Sequence, residues 1–211
     1  YLKPDGSRQR RALAFLGMVT VSDGSQHPEV YVCDLPEGPI SEWEFYAQED
    51  AALKYPAPPL GVSQRRITFT EEQAFPGVAL SPRHWLRSSP DGSSIAFLMK
   101  DAAGVVCLWT VSPNGGAIEK VYAGELGDVQ SAFTWSPDGK WIALIMDNSV
   151  FKIEVATGRA DRLTPRSDDA NAPCPEACVF SPDGTKIAYM RGGLMRNGKF
   201  TQIHVVPADP Q

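Results

Sequence analysis

The side chains that could perform acid–base or metal chemistry are few in this sequence and lie far apart. The three histidines are His27, His84 and His204, and each falls in a different part of the chain. An imidazole can transfer a proton or bind a metal, but either role needs partner residues within reach. The sequence contains no Gly-x-Ser-x-Gly elbow, Walker loop or His-Glu-x-x-His motif. It therefore identifies no reaction by motif, and structural roles are favoured for His27, in a polar loop, and for His204, on an outward-facing strand position.

Four cysteines offer a second kind of chemistry. Cys33 and Cys107 fall in strand-like apolar runs, where a buried thiol packs as a small apolar side chain. Cys174 and Cys178 are separated by about 13 Å if the chain is extended at roughly 3.3 Å per residue, which is beyond disulfide reach unless the chain turns. No second Cys/His pair lies nearby to complete a zinc set. Structural thiols are therefore favoured, no cofactor or metal is expected, and the redox state of Cys174 and Cys178 stays open.

A repeated turn organises the chain around these residues. Ser-Pro-Asp-Gly occurs three times, beginning at Ser89, Ser136 and Ser181, with spacings of 47 and 45 residues, and each turn is followed by an Ile-Ala pair. Proline presets the second turn position, aspartate can bond its own backbone, and glycine accepts the left-handed conformation, so each turn predicts a β-hairpin. Four short strands in a repeat of this length are typical of a β-propeller blade.

The repeats divide the chain into four blades of an all-β propeller. The expected blades span residues 1–69, with an inserted loop at 35–64, and then residues 83–123, 130–164 and 176–206. Their predicted strand numbers are three, four, four and three, because the first blade lacks its innermost strand and the last its outermost. An open arc leaves two apolar faces in water. We therefore expect an arc of a larger ring of roughly six to eight blades, belonging to the C-terminal part of a longer protein.

Aligning the turns places three polar residues at one equivalent position. His84, Ser131 and Glu176 each lie five residues before a turn, on the strand expected to line the central channel. Polar groups that converge at a propeller mouth predict a ligand-binding rim. Other polar residues next to this position, or on the connection that leads to it, are Arg83, Asp168 and Asp169. The alternative is that these side chains only satisfy neighbouring backbone groups, as buried polar side chains usually do.

The inserted loop carries a second candidate surface. It is rich in proline and acidic residues, and within it Trp43, Phe45 and Tyr46 lie among glutamates. Because aromatic side chains are common anchors of protein interfaces, the segment is a candidate interaction loop. The alternative, which the alternation favours, is an edge strand with Trp43 and Phe45 facing its own blade.

These features together resemble a known fold family. The Ser-Pro-Asp-Gly turn followed by Ile-Ala-aromatic, in blades that end in Arg-Leu-Thr, resembles the WD-repeat-like blades of the TolB type. The segments 83–92, 108–116 and 175–184 resemble, more narrowly, the C-terminal half of an uncharacterised family of bacterial TolB-like proteins. The resemblance implies a propeller. It leaves function open, because such blades serve as protein-docking platforms, as peptidase gating domains and, in oligogalacturonate lyases, as a catalytic scaffold.

Two functions follow from this resemblance. The favoured one is a non-enzymatic binding platform for a protein or an envelope- or polysaccharide-derived ligand at the channel mouth. The other is a polysaccharide lyase of the oligogalacturonate type. A lyase needs a metal-binding histidine cluster and a base, and this chain offers at most one well-placed histidine, so the metal site would lie largely in blades outside it.

Composition narrows the classes of partner and leaves the compartment open. The net charge of −5 and pI of about 5.2, with dispersed basic residues, predict no nucleic-acid footprint. No apolar run approaches the roughly 20 residues of a membrane-spanning helix. The sequence begins at Tyr1 without a methionine or a signal-like segment, so the start of the gene product is expected to be missing. Localisation therefore stays unknown, with the periplasm implied by the TolB resemblance and the cytoplasm still open.

Overall fold

The chain forms four antiparallel β-sheets that follow one another in sequence order. The computed structural model describes residues 1–38, 62–82, 85–122, 126–195 and 198–209. Within these residues the sheets have three, four, four and three strands, and we number them blades 1 to 4. A 3₁₀ turn at Asp169–Asn171 precedes blade 4. No helix in the described ranges has the length and apolar character needed to cross a membrane.

The first two blades contain seven strands: β1 (Ala12–Thr20), β2 (Gln26–Asp34), β3 (Ser63–Arg66), β4 (Arg87–Ser88), β5 (Ile95–Lys100), β6 (Val106–Val111) and β7 (Glu119–Lys120). The last two blades contain the others: β8 (Thr134–Trp135), β9 (Trp141–Met146), β10 (Ser149–Glu154), β11 (Ala160–Arg162), β12 (Val179–Phe180), β13 (Lys186–Met195) and β14 (Gly198–Pro207). The predicted all-β arc and the predicted strand numbers are confirmed. Most of the predicted inserted loop, residues 39–61, lies outside the described residues.

The three Ser-Pro-Asp-Gly turns share one hydrogen-bond pattern. In blade 3 the Ser136 hydroxyl donates to Asp138 Oδ1 at 2.5 Å and accepts the backbone N–H of Trp141 at 2.9 Å. The same carboxyl oxygen accepts the N–H of Lys140 at 3.1 Å. Gly139 has a φ of 71°, which glycine adopts without a steric cost. The turns of blades 2 and 4 make the same bonds, so side chains and backbone together hold each hairpin.

The blades pack face to face through alternate residues of their second strands. In β9, Ile142 and Leu144 are buried against blade 2, whereas Ala143 and Ile145 are buried against blade 4. Successive side chains of a strand point to opposite faces, so one short run covers both sides of the sheet. We call the side of each blade that faces the preceding blade its rear face, and the opposite side its forward face.

Candidate functional site

A network of polar side chains lies between blades 3 and 4 at one end of the sheets. Because the strands are antiparallel, the β9–β10 turn and the connections between blades lie at the end opposite the Ser-Pro-Asp-Gly turns. We call this the connection end and the opposite one the turn end. The network, which we call the rim network, consists of Gln130, Asn148, Ser167, Asp169 and Arg191.

Asn148 is at the centre of the rim network. Its buried side chain accepts a hydrogen bond from Gln130 Nε2 at 3.1 Å, and its backbone N–H donates to Gln130 Oε1 at 2.8 Å. Asn148 Nδ2 donates to Asp169 Oδ1 at 2.7 Å and to the Ser167 carbonyl at 3.3 Å. Arg191 of blade 4 donates to the Ser167 hydroxyl. The network therefore ties the connection between blades 3 and 4 to both of them.

A two-residue turn places Asn148 in this position. Asp147 and Asn148 join β9 to β10 with φ values of 45° and 51°, as a tight hairpin requires of its two central residues. Asp147 pairs with Arg162 at 2.6 Å and with Arg166 at 2.7 Å. The hydrogen bond from Arg162 lowers the pKa of the Asp147 carboxyl, and the charge of Arg166 adds to this effect. The turn is thus held by two cations at Asp147 and by the rim network at Asn148.

Two residues that the sequence predicts for the rim lie on the connection to blade 4. Asp169 accepts the hydrogen bond from Asn148 and is exposed. Asp168 is also exposed and caps the 3₁₀ turn, where its carboxylate accepts the N–H of Asn171 at 2.9 Å. Both carboxylates therefore lie at the connection end within or beside the rim network.

Ser131 and Glu176, which the sequence also predicts for the rim, are fully and partly buried, respectively. Ser131 is fully buried, and its hydroxyl donates to the Ala132 carbonyl at 2.6 Å and accepts the N–H of Ile145 at 2.9 Å. This hydroxyl takes the place of a backbone acceptor in the β8–β9 ladder. The strand β8 is therefore shorter than the predicted innermost strand, which includes Ser131. Glu176 is half-buried with Oε2 inside the protein. Ser131 thus has the geometry of the backbone-satisfying alternative.

The remaining predicted residues lie outside the described ranges; they are Arg83, His84, Trp43, Phe45 and Tyr46. Conversely, sequence reasoning did not single out Asn148 and Arg191. A usable signal for Asn148 was the Asp-Asn pair between two apolar runs, which indicates a two-residue hairpin turn. Arg191 had no such local signal, because its partners lie on a different segment.

Comparison with known protein sequences finds a relative of this chain. The chain is 42% identical over 189 residues to the Uncharacterized protein YidR of Escherichia coli (strain K12), in an alignment that covers 87% of this chain and 44% of that protein. The chain thus spans less than half the length of this relative. No protein-family model matches the sequence.

Solved structures share the succession of blades. TolB from Acinetobacter baumannii aligns with a TM-score of 0.51 and 20% identity, over 99% of this chain and 42% of that one. The fold is a TolB-like β-propeller. The β-propeller domain of the Trilobed protease from Pyrococcus furiosus aligns with a TM-score of 0.53 and 12% identity, over 97% of this chain and 53% of that one. The resemblance inferred from the repeated turn is therefore confirmed.

In blades 1 to 3 of this TolB-like arc the last strand ends in a cation that bonds a carboxylate at the connection end. The three pairs and their separations are Arg66–Glu29 at 3.0 Å, Lys120–Asp101 at 2.8 Å and Arg162–Asp147 at 2.6 Å. The bond from Lys120 lowers the pKa of Asp101 to about 2. The blade-ending Arg-Leu-Thr pattern therefore has a structural role, since its first residue bonds an acidic group on the same blade.

Glu29 is the fully buried member of these pairs in the TolB-like arc. Its Oε1 accepts the N–H and the hydroxyl of Thr70 at 2.9 and 2.7 Å as well as Arg66 Nη2 at 3.0 Å. Its Oε2 accepts the Thr68 hydroxyl, and His27 Nε2 lies 3.1 Å from Oε1. One carboxylate therefore fastens the connection that follows blade 1.

His27, Glu29 and Glu71 offer ligand atoms within 4.8 Å of one another, a grouping that could hold a metal ion. The Arg66 guanidinium, however, bonds Glu29 at 3.0 Å and Glu71 at 2.5 Å, so a cation of the protein already lies between the two carboxylates. We therefore interpret the cluster as a structural anchor.

The two described histidines lie in different blades of the TolB-like arc. His27 is buried in β2, so its predicted place in a polar loop is wrong; β2 begins at Gln26, earlier than the apolar run indicates. His204 is half-buried in β14, and its ring stacks on that of Tyr189 at a centroid distance of 5.5 Å. These two imidazoles do not share a site.

The cysteines of the TolB-like arc are free thiols. Burial raises the pKa of Cys178 to about 12, and it also raises the pKa values of Cys33 and Cys107. A thiol with a raised pKa is a poor nucleophile and metal ligand at neutral pH, because the thiolate is the reactive form. These three cysteines therefore act as small apolar side chains, as the sequence indicates.

Proposed function

We propose that this chain is part of a non-enzymatic β-propeller binding platform, which recognises a protein or a polysaccharide-derived ligand beside the rim network at the connection end. The observation that carries the proposal is the bonding of Asn148 to Gln130, Ser167 and Asp169, which holds polar groups of two structural segments in one arrangement. A ligand would meet groups that are already ordered, which lowers the entropic cost of binding.

The chemistry of this surface suits recognition through hydrogen bonds. Amide, carboxylate, guanidinium and hydroxyl groups occur together, so both donors and acceptors face a ligand. Asp168 and Asp169 are exposed, and Arg166 is also exposed nearby on the same connection. Such mixed charge fits a protein surface or a hydroxylated polymer better than the uniformly negative backbone of a nucleic acid.

Site-specific photo-cross-linking in the complete natural protein tests this proposal. A cross-linking amino acid replaces Asp168 at the connection end or Lys140, an exposed residue directly after a Ser-Pro-Asp-Gly turn, at the turn end. We expect a discrete adduct with a protein or a glycan from position 168 and none from position 140. Equal adducts from both ends, or none from position 168, would contradict a site at the rim.

A variant of the rim network tests, in the same experiment, whether the network contributes to binding. Asp169→Ala removes one of the two acceptors of Asn148 Nδ2, and we expect the adduct yield from position 168 to fall about 10-fold, as for a hot-spot residue. Lys140→Ala is the matched control and should leave the yield unchanged. Release of unsaturated products from pectic fragments would instead show catalysis and overturn the non-enzymatic role.

A further inference from the structure

One loop at the connection end exposes two aromatic rings. It comprises residues 69–76, which follow the last strand of blade 1, and we call it the aromatic loop. Phe69 is 69% exposed and Phe75 is 41% exposed. Removing apolar surface from water is favourable, so a partner that covers these rings gains binding energy.

The base of the aromatic loop is fixed. The Thr70 hydroxyl accepts the backbone N–H of Gly77 at 2.6 Å, which joins the two ends of the loop, and Glu29 in turn bonds Thr70. Gly77 has a φ of 88°, and a Cβ at this position would lie 2.9 Å from the Pro28 carbonyl oxygen. Because the base is bonded and tightly packed, the loop pays less conformational entropy when a partner binds.

Each aromatic ring is also held by a cation. The Arg66 guanidinium lies 4.5 Å from the ring centroid of Phe69, and Lys100 Nζ lies 5.4 Å from that of Phe75. The ring of Phe75 further packs at Gly104 in the β5–β6 turn, where an added Cβ would lie 3.3 Å from it. The loop therefore bridges blades 1 and 2 and presents its rings in an ordered arrangement.

The exposed rings are particular to this connection. Neither the connection from blade 3 to blade 4 nor the described part of the connection from blade 2 to blade 3 exposes a large apolar side chain. A requirement of blade stacking would recur at each connection. The exposure of Phe69 and Phe75 is thus not explained by the repeat, and apolar surface gathered on one exposed loop marks an interaction site.

The charge of the aromatic loop selects its partner. Glu71 and Glu72 lie between the two rings in sequence, and both residues are exposed. Arg66 bonds Glu71 at 2.5 Å, whereas Glu72 has no ion-pair partner among the described residues. A carboxylate beside exposed rings complements an apolar pocket edged by lysine or arginine. It also disfavours anionic lipid surfaces and acidic polysaccharides, which carry the same sign of charge.

From these observations we infer that the aromatic loop docks a partner protein, which receives Phe69 and Phe75 in apolar pockets and pairs a basic side chain with Glu72. This inference deepens the proposed function, on which it rests in placing the partner at the connection end. It narrows the ligand to a protein, and it adds a second contact surface to the rim network.

Photo-cross-linking from the loop of the complete natural protein tests the inference. A benzophenone amino acid, which keeps a phenyl ring, replaces Phe69, and the same amino acid at Lys140 on the turn end is the control. We expect an adduct with another protein from position 69 only, with the cross-link in a peptide that contains apolar and basic residues. An adduct with a glycan, a lipid, a second copy or the same chain would overturn the inference, as would no adduct.

Substitutions within the loop show whether such an adduct reflects specific docking. With the cross-linker at position 69, Phe75→Ala should lower the adduct yield about 10-fold, as for an interface anchor. Glu72→Gln should lower it at least about 3-fold, with a matched loss as salt rises from roughly 0.05 to 0.5 M. Gln73→Ala changes an exposed neutral neighbour and should leave the yield unchanged. A yield that is equal in all three variants would overturn the inference.

Two comparisons keep the outcome unambiguous. Ala74, which is exposed on the same loop, takes the cross-linker if the variant at position 69 fails to fold, as judged by its melting temperature. An adduct from position 168 without one from the loop retains the proposed function and overturns this inference. A protein adduct from the loop without one from position 168 contradicts the site at the rim but supports docking on the aromatic loop.

Discussion

The buried carboxylate of Glu29 illustrates how one residue can fix a long connection. An ionised carboxylate is expensive to bury unless hydrogen bonds and a counter-charge replace water. Glu29 obtains both from Arg66, Thr68 and Thr70. Since two of these partners lie beyond the end of β3, the path of the chain out of blade 1 depends on this one side chain.

Replacing Glu29 should therefore be costly. In Glu29→Gln the amide brings hydrogens toward groups that are themselves donors, and Arg66 loses its buried partner. We expect the free energy of unfolding, measured by urea denaturation, to fall by about 3 kcal/mol. Glu71→Gln is the matched control, because Glu71 bonds the same guanidinium but is partly exposed, and it should cost less than about 1 kcal/mol. Equal losses would show that burial of Glu29 is not what stabilises the connection.

The Ser-Pro-Asp-Gly turn is the element that repeats most faithfully, and its aspartate is more than a sequence marker. In each turn one carboxyl oxygen accepts both the serine hydroxyl and a backbone N–H. These bonds favour the ionised form, and they lower the pKa values of Asp91 and Asp183 from 3.8 to about 2. Each hairpin is therefore coupled to the charge of its aspartate.

This coupling predicts a pH dependence of stability. Because the pKa of each aspartate is lower in the folded state, the stabilising contribution is complete above pH 4 or so and is lost as the pH falls toward about 2. Between about pH 5 and 2, the urea midpoint of the double variant Asp91→Ala and Asp183→Ala should decrease less than that of the unsubstituted protein. Glu72→Gln, which changes an exposed carboxylate outside the turns, is the control. If the urea midpoint of the double variant falls with pH as steeply as that of the unsubstituted protein, this role of the turns is excluded.

The whole arc behaves as a row of sheets in which each blade contacts its neighbours. Its stability is then a sum of blade and interface contributions. One such interface involves backbone, since a Cβ added at Gly158 of blade 3 would lie 2.7 Å from the Val121 carbonyl oxygen of blade 2. The two blades approach so closely there that glycine is needed for space as well as for its φ of 72°.

Two glycine variants distinguish the effect of the close contact between blades from the effect of the positive φ. Gly158→Ala must strain φ and also push blades 2 and 3 apart, so we expect a loss of at least about 2 kcal/mol in the free energy of unfolding. Gly24→Ala has a comparable φ of 84° with nothing within 4 Å of the added Cβ, and it should lose only about 1 kcal/mol. Chemical denaturation of both variants provides the comparison, and equal losses would argue against a tight contact between blades.

Local patterns were sufficient to predict the architecture. The turn chemistry of Ser-Pro-Asp-Gly and the alternation that follows it act over a few residues, so the hairpins, the strand numbers of the four blades and the propeller arc were all readable in advance. The innermost strand of blade 3 is expected to include Ser131 but begins at Thr134, because the buried Ser131 hydroxyl replaces a backbone acceptor there. Whether a side-chain hydroxyl replaces a backbone acceptor depends on the facing strand, so the local sequence does not predict it.

The contacts of the candidate site required the folded chain. Asn148 and Asp169 are 21 residues apart, and Glu29 and Thr70 are 41 apart, so no periodicity connects them. Their pairing arises when stacked blades bring the connections together at one end of the sheets. Asp168 and Asp169 could be proposed from sequence because they lie on the connection that leads to Glu176, which the repeat aligns with the predicted rim. The hydrogen bond from Asn148 to Asp169 could not, because hydrogen bonds between segments follow from tertiary packing, whereas turns and strands follow from the covalent order of neighbouring residues.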